Sequence, residues 1–263
     1  MTFPAPRWDD NVNNLDPDDR QDWIAVLPLG AHEHHGPHLP LETDTLIVEG
    51  IVGATLALLP DHIPATFLPV EPVGYSVEHM DGSGTRTLAW DEAVTRWLEI
   101  AETLAGRGIR KFVMLNAHGG NSPLMTVVAT EARIRFNMLA VATSWTRFGY
   151  PKDTVSNEEK AIGIHAGDIE TSVMLALHPE LVDLSKAADF GSFQEELARS
   201  ATHLRAYGPH AFGWKMSDLN AQGAAGNALS ATEEKGRALI AHAAAGFVEL
   251  LEDIHTFDPA RLH

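Results

Sequence analysis

The chain has 263 residues, 44% hydrophobic and 21% charged, which suits one globular domain spanning residues 1–263 with a sizeable core. Lys and Arg total 19 against 36 Asp and Glu, and the resulting net charge of −17 repels phosphate backbones, so no nucleic-acid partner is expected. No apolar run is long enough for a bilayer and Met1–Asn14 carries no basic-then-apolar leader pattern, so a cytoplasmic, non-membrane protein is expected.

Residues 1–20, rich in Asp, Asn and Pro, read as an irregular arm. Trp23–Leu29 (WIAVLPL) is a short apolar run that predicts a buried strand ending at Gly30. A helix is expected from Thr43-Asp44 to about Leu59, stopped by Pro60, and a second strand at Thr66–Val70. Ala93, Trp97, Ile100, Ala101 and Leu104 recur at helical spacing within Trp90–Gly106, and Lys111–Asn116 (KFVMLN) reads as a buried strand. Ser122–Phe136 follows as a helix and Leu139–Ser144 as a strand, with further helices at Asp168–Leu177 and Ala231–Ile254. Alternating strands and helices predict an α/β fold, a three-layer α/β/α sandwich around a mainly parallel sheet. Ala187–Met216 gives no readable pattern.

In such folds ligands bind beyond the carboxyl ends of the strands. Three polar segments fall there: HEHHGPHLPLETD after the first strand, NAHGGN after the Lys111–Asn116 strand, and HAGDIETS at the start of the Asp168 helix. Glu33 and His35 are two apart in extended chain and point to one side, whereas His32 and His34 face the other as structural or rim residues. Asp44 opens a helix, where the dipole favours a carboxylate, and His118 is flanked by Gly119 and Gly120, which leave space beside it. The chain has no cysteine, so a metal here would be held by nitrogen and oxygen, a set suited to Zn, Mn or Fe. Each residue alone has a plainer reading, as a core histidine, a dipole-favoured acid or a turn glycine. Their coincidence in three strand-end or helix-start segments points to a metal site and names no reaction.

LPLGAHEHHGPHLPLETD (Leu27–Asp44), NAHGGN (Asn116–Asn121) and HAGDIETS (His165–Ser172) resemble, in order and spacing, the signature of the creatininase (creatinine amidohydrolase) family. A weaker echo lies within Gly213–Ala228. The resemblance implies two divalent metal ions, with Glu33, His35, Asp44 and His118 as ligands and Asp44 bridging. It implies His165 as a catalytic residue that faces a small-molecule amide substrate and moves a proton, the alternative being support of a ligand. It also implies a homo-oligomer, usually a hexamer. His38, Asn116 and Asn121 are read as holding the ligands in orientation.

Three departures bear on the substrate. Creatininase proper has a Glu where this chain has Gly120, a Trp near Ala161-Ile162, and a Glu in place of Asp168. The first two argue against creatinine itself. A dinuclear site then needs another carboxylate, and Asp168 and Glu170 are the candidates. On a helix the two point about 200° apart, so only one faces the site. Glu170, able to reach back past Gly167, is the expected ligand. Trp145 follows a strand end, where it is either a cover for the site or a core residue, and Phe212, Trp214 and Met216 suggest an interface or a lid. The expected function is hydrolysis of a C–N amide bond by metal-activated water. The alternatives are a peptidase of the mycofactocin-system type and a non-catalytic metal-binding protein.

Overall fold

In the computed structural model, which describes residues 20–262, four parallel strands form the central sheet. They are β1 (Ile24–Leu29), β2 (Ala65–Phe67), β3 (Lys111–Asn116) and β4 (Leu139–Ser144), in the spatial order β2-β1-β3-β4. Every residue of β1 and β3 is buried, as expected for parallel strands covered on both faces. Side chains alternate across the sheet. Ile24 and Val26 enter the core layer that also holds Ile47, Ile51 and Phe247, while Ala25, Leu27 and Leu29 join Trp97, Met125 and Val128 in the layer on the opposite face.

The first layer packs against α1 (Thr43–Leu58), α5 (Asp168–Leu177) and α8 (Glu233–Thr256); the second packs against α2 (Trp90–Gly106) and α3 (Ser122–Phe136). This is the expected sandwich. Three shorter helices complete the set in chain order: α4 (Asn157–Ile162), α6 (Phe193–Ser200) and α7 (Met216–Leu219). A small antiparallel pair, β5 (Asp189–Phe190) with β6 (Gly226–Asn227), stands apart from the sheet.

The boundaries differ from expectation where a local device intervenes. The second strand ends at Phe67 rather than Val70, because Pro69 has no N–H to give the ladder, although Glu71 N still donates to Pro28 O (3.0 Å). The last helix begins at Glu233 rather than Ala231 because the Thr232 hydroxyl accepts from Lys235 N (3.2 Å) and caps it. The unreadable stretch holds β5, α6 and a loop running to Trp214. The N-terminal arm lies outside the described residues.

Helices α5 and α8 meet closely at Gly236. A Cβ there would press into the Ser172 carbonyl oxygen and lie 2.9 Å from the Ala176 side chain. Helix propensity favours Ala over Gly by about 1 kcal/mol, but the approach is between backbones and cannot relax cheaply. Gly236→Ala is expected to destabilise by about 1–3 kcal/mol, read as a lower melting temperature. A raised melting temperature would show that the two helices slide apart freely.

Candidate metal centre

The site begins with register. Leu29 and Asn116, the last residues of β1 and β3, are direct partners, so the loops after them leave the sheet side by side. The chain turns to opposite sides after these two strands, which is the switch point where α/β sheets open a crevice. Asn116 and Asn121 fasten the two loops together. The Asn116 Oδ1 accepts from His118 N (3.1 Å) and from Asn121 Nδ2 (3.0 Å), and Asn121 also donates to Gly30 O (3.1 Å).

Glu33, His35, Asp44 and His118 converge there and are at most 4% exposed. Glu33 Oε1 lies 3.1 Å from His118 Nδ1 and 4.0 Å from His35 Nε2. The two oxygens of Asp44 face different rings, Oδ1 at 3.5 Å from His35 Nε2 and Oδ2 at 3.6 Å from His118 Nδ1. Tautomers follow from the far edges: His35 Nδ1 donates to Glu33 O (2.9 Å) and His118 Nε2 to Tyr75 O (2.9 Å), so each ring, once neutral, presents its lone pair inward.

These separations fit a cation. The exposed pair His62–Glu252 closes to 2.7 Å, an ordinary hydrogen bond, whereas the carboxylate–imidazole pairs just described stand 3.1–4.0 Å apart. Donors about 2.1 Å from a shared ion lie roughly 3.0–3.6 Å from one another, a range that takes in Glu33–His118, Asp44–His35 and Asp44–His118 but not Glu33–His35 at 4.0 Å. Both oxygens of Glu33, His35 Nε2 and Asp44 Oδ2 are buried without a hydrogen-bond partner, which no closed core tolerates cheaply.

His165 and Glu170 join from the third segment. Ala166 sits in the left-handed region (φ 53°), turning the chain so that His165 Nε2 donates to His34 O (2.8 Å) and Nδ1 faces Glu33 Oε1 at 3.7 Å. Glu170 reaches back to accept from Ala166 N (2.6 Å), and it, His35 and His165 offer atoms within 4.8 Å of one another. Asp168 points elsewhere: its carboxylate pairs with Lys235 Nζ (2.7 Å) and accepts from Ser172 Oγ (3.0 Å). His38 lies behind the site, with Nε2 on Thr171 Oγ1 (2.9 Å) and its ring stacked on Phe190. His32 pairs loosely with Glu42 and stays outside the cluster.

Without a cation the charges settle among themselves. Burial opposes the carboxylate charge of Glu33, yet His118 and His79 hold it well below its usual range. Burial opposes a proton on His118, but Glu33 and Asp44 raise it to about 10; against the same penalty Asp44 raises His35 to about 9. Burial lifts Glu170 to about 7 and pushes the His165 pKa well down. Both raised imidazoles stabilise the cation-free protein fully below about pH 6.5, and that contribution is lost as the pH climbs through 9 to 10. Chelator-treated protein should therefore lose melting temperature steeply over that window. Cation uptake should release protons, so affinity should rise by about tenfold per pH unit for each proton displaced. Calorimetry in buffers of different ionisation heat reads this directly; proton-neutral uptake with pH-independent affinity would count against it.

Two residues outside the three motifs enter the site on a 3₁₀ turn at Val77–His79. Glu78 Oε1 lies 3.5 Å from His118 Nε2, and it fills the space that a side chain at Gly120 would need. His79 Nε2 lies 3.4 Å from Glu33 Oε1. The sequence signal was an adjacent acid–histidine pair among Gly74, Gly82 and Gly84, with no periodicity to draw attention to it. Trp214 stands edge-on to His79 at 6.4 Å between centroids, and Phe212 and Met216 share its cluster, on the site side of the molecule.

A cavity of about 160 Å³ opens beside the cluster, with Ala117, Gly119, Trp145, Tyr150, His165 and Glu170 among its walls. Trp145 serves both readings, since it lines this cavity and is only 2% exposed within the core. Behind the wall, the buried Glu159 carboxylate accepts from Asp168 N (2.8 Å) and Asn227 N (3.0 Å). Gly163, Gly167 and Gly226 surround that carboxylate so closely that a Cβ on any of them would collide with it.

A family model described as creatinine amidohydrolase matches residues 11–251. The chain is 31% identical over 163 residues to the mycofactocin precursor peptide peptidase of Mycolicibacterium smegmatis, covering 60% of this chain and 59% of that protein, under two thirds of its length. It is 30% identical over 187 residues to the creatinine amidohydrolase of Pseudomonas putida, covering 64% and 69%. With the 2-amino-5-formylamino-6-ribosylaminopyrimidin-4(3H)-one 5'-monophosphate deformylase of Methanobrevibacter smithii the figures are 30% over 207 residues, 74% and 86%. A manganese form of creatininase superposes with a TM-score of 0.72 at 23% identity, covering 94% of this chain and 98% of that one, which speaks to the fold alone. Three motifs meeting at the switch point of this sheet, together with a match across nearly the whole sequence, place the chain in the creatininase family.

Proposed function

We propose that the chain is a metal-dependent hydrolase that cleaves the C–N bond of a small cyclic or linear amide with two divalent ions. One observation carries the dinuclear reading: the two oxygens of buried Asp44 each face a different inward-pointing imidazole, the geometry of a bridging carboxylate. Glu33, His118 and Asp44 are assigned to one ion, and His35, Glu170 and Asp44 to the other. Nitrogen and oxygen donors without thiolate suit Zn, Mn or Fe.

A bound pair of such ions acidifies water and polarises a carbonyl. The chain's own residues supply the rest. His165 keeps its Nε2 proton on His34 O, so Nδ1 is the edge that exchanges protons. Burial keeps that ring neutral near pH 7, ready to take a proton from the attacking water and pass it to the departing nitrogen. Trp145 and Tyr150 wall the cavity and limit bulk water around the scissile bond.

The relatives include hydrolases named for an amide ring, a formamide and a peptide. The cavity volume of about 160 Å³ favours a small amide. A peptidase is the second reading, favoured by a 29% identical match to the Mycobacterium ulcerans peptidase that covers 88% of this chain. Turnover of the metal-reconstituted protein on formamides, lactams, creatinine-like rings and short peptides separates the two. No turnover on any class, with the metals present, would remove the catalytic reading. A hexamer is inferred from the family resemblance, and light scattering showing a monomer at micromolar concentration would refute it.

A further inference from the structure

We propose that His79 is a further metal ligand, adding its Nε2 to the ion held by Glu33. The inference rests on the metal reading above and goes beyond the residues assigned there.

His79 is 3% exposed, and three donors from three segments, Glu33, His79 and His165, lie within 4.8 Å of one another. Its Nε2 stands 3.4 Å from Glu33 Oε1, close to the 3.1 Å between that oxygen and His118 Nδ1. At 3.4 Å the pair is too long for a good N–H···O bond, yet it matches two donors on one ion. Nδ1 of His79 has no hydrogen-bond partner, so no bond from the far edge of the ring fixes its orientation, and the Nε2–Glu33 approach is what places it.

The turn that carries His79 is also fastened to the site. Ser76 N donates to Thr87 Oγ1 (2.8 Å), Tyr75 N to Asn121 Oδ1 (2.9 Å), and Gly82 N to His79 O (2.9 Å). The Asn121 side chain therefore holds this turn and the loop after β1 together, as a ligand from a fourth segment requires. The ring is flanked by His165 at 4.3 Å between centroids and by the edge of Trp214, which leaves Nε2 directed at Glu33. A second imidazole on this ion favours zinc over magnesium.

The test uses the full-length, metal-depleted protein titrated with zinc against a chromophoric chelator. His79→Gln should weaken one of the two sites by about a hundredfold while circular dichroism stays unchanged. His79→Cys, loaded with cobalt(II), should show a thiolate-to-metal charge-transfer band, which is unambiguous because the chain has no other cysteine. Wild-type zinc affinity in the Gln variant, or a folded Cys variant without that band, overturns the proposal, whatever happens to turnover. Should the Cys variant not fold, the Gln titration decides alone. Asp44→Asn is titrated alongside. If it loses zinc while His79→Gln does not, only this inference falls; if Asp44→Asn also binds zinc normally, the metal reading itself falls.

Discussion

Glu170→Gln should retain the fold and lose one of two bound metals, with activity falling by about two orders of magnitude or more. The amide has almost the shape of the acid and still offers an oxygen to Ala166 N, so the turn at His165–Gly167 is preserved. What disappears is the negative charge beside His35, whose proton Glu170 helps to hold. Asp168→Asn should behave in the opposite way. Asp168 is 2% exposed, pairs with Lys235 and accepts from Ser172, whose oxygen in turn accepts from Thr232 N (3.1 Å) at the start of α8. Its loss should destabilise by about 1–3 kcal/mol and leave both metals in place. Elemental analysis and thermal unfolding of the two variants give the answer together. Two metals in Glu170→Gln, with one missing in Asp168→Asn, would reverse the assignment.

Asp44→Asn should be more damaging, reducing turnover by about a thousandfold and weakening both ions at once. An Asn retains one carbonyl oxygen, so one of the two imidazole-facing positions becomes an NH₂ group that cannot coordinate. The same change removes the charge that most supports the proton on His35 and contributes to that on His118. The cation-free variant should therefore show a shallower loss of stability above pH 8 than the cation-free parent. That second readout distinguishes a lost bridge from a misfolded helix start. An Asp44→Asn protein with one ion at full affinity would mean that the carboxylate serves a single site.

Much of this was legible in the sequence, and the reasons are physical. Strands β1 and β3 are covered on both faces, so they read as unbroken apolar runs, and α2 shows its buried stripe of Ala93, Trp97, Ala101 and Leu104. Glu33 and His35 share a side because extended chain alternates, and Asp168 and Glu170 diverge because a helix does not. Glu78 and His79 were missed because a three-residue 3₁₀ turn has no period. Their place in the site is set by long-range bonds such as Tyr75 N to Asn121 Oδ1. The stretch from Ala187 to Met216 was opaque for a related reason. Its elements are short, and Trp214 is positioned by a bond from its indole to Ala206 O (2.7 Å) rather than by any repeating pattern.

The Glu159 carboxylate and its three glycines behave as one shared volume. Space at Gly163, Gly167 and Gly226 exists only because one acid of one length fills it from behind, and the acid is tolerable there only because those positions are bare. Anyone reshaping this cavity would find the four positions locked to each other. An alanine at Gly167 should fail alone and have its best chance with a shorter acid at position 159, whereas Gly226, at φ 147° and with its Cβ position 2.8 Å from the Gly167 Cα, has to stay glycine. Useful variants of this wall are therefore reached by paired exchanges, and a search one residue at a time would pass them by.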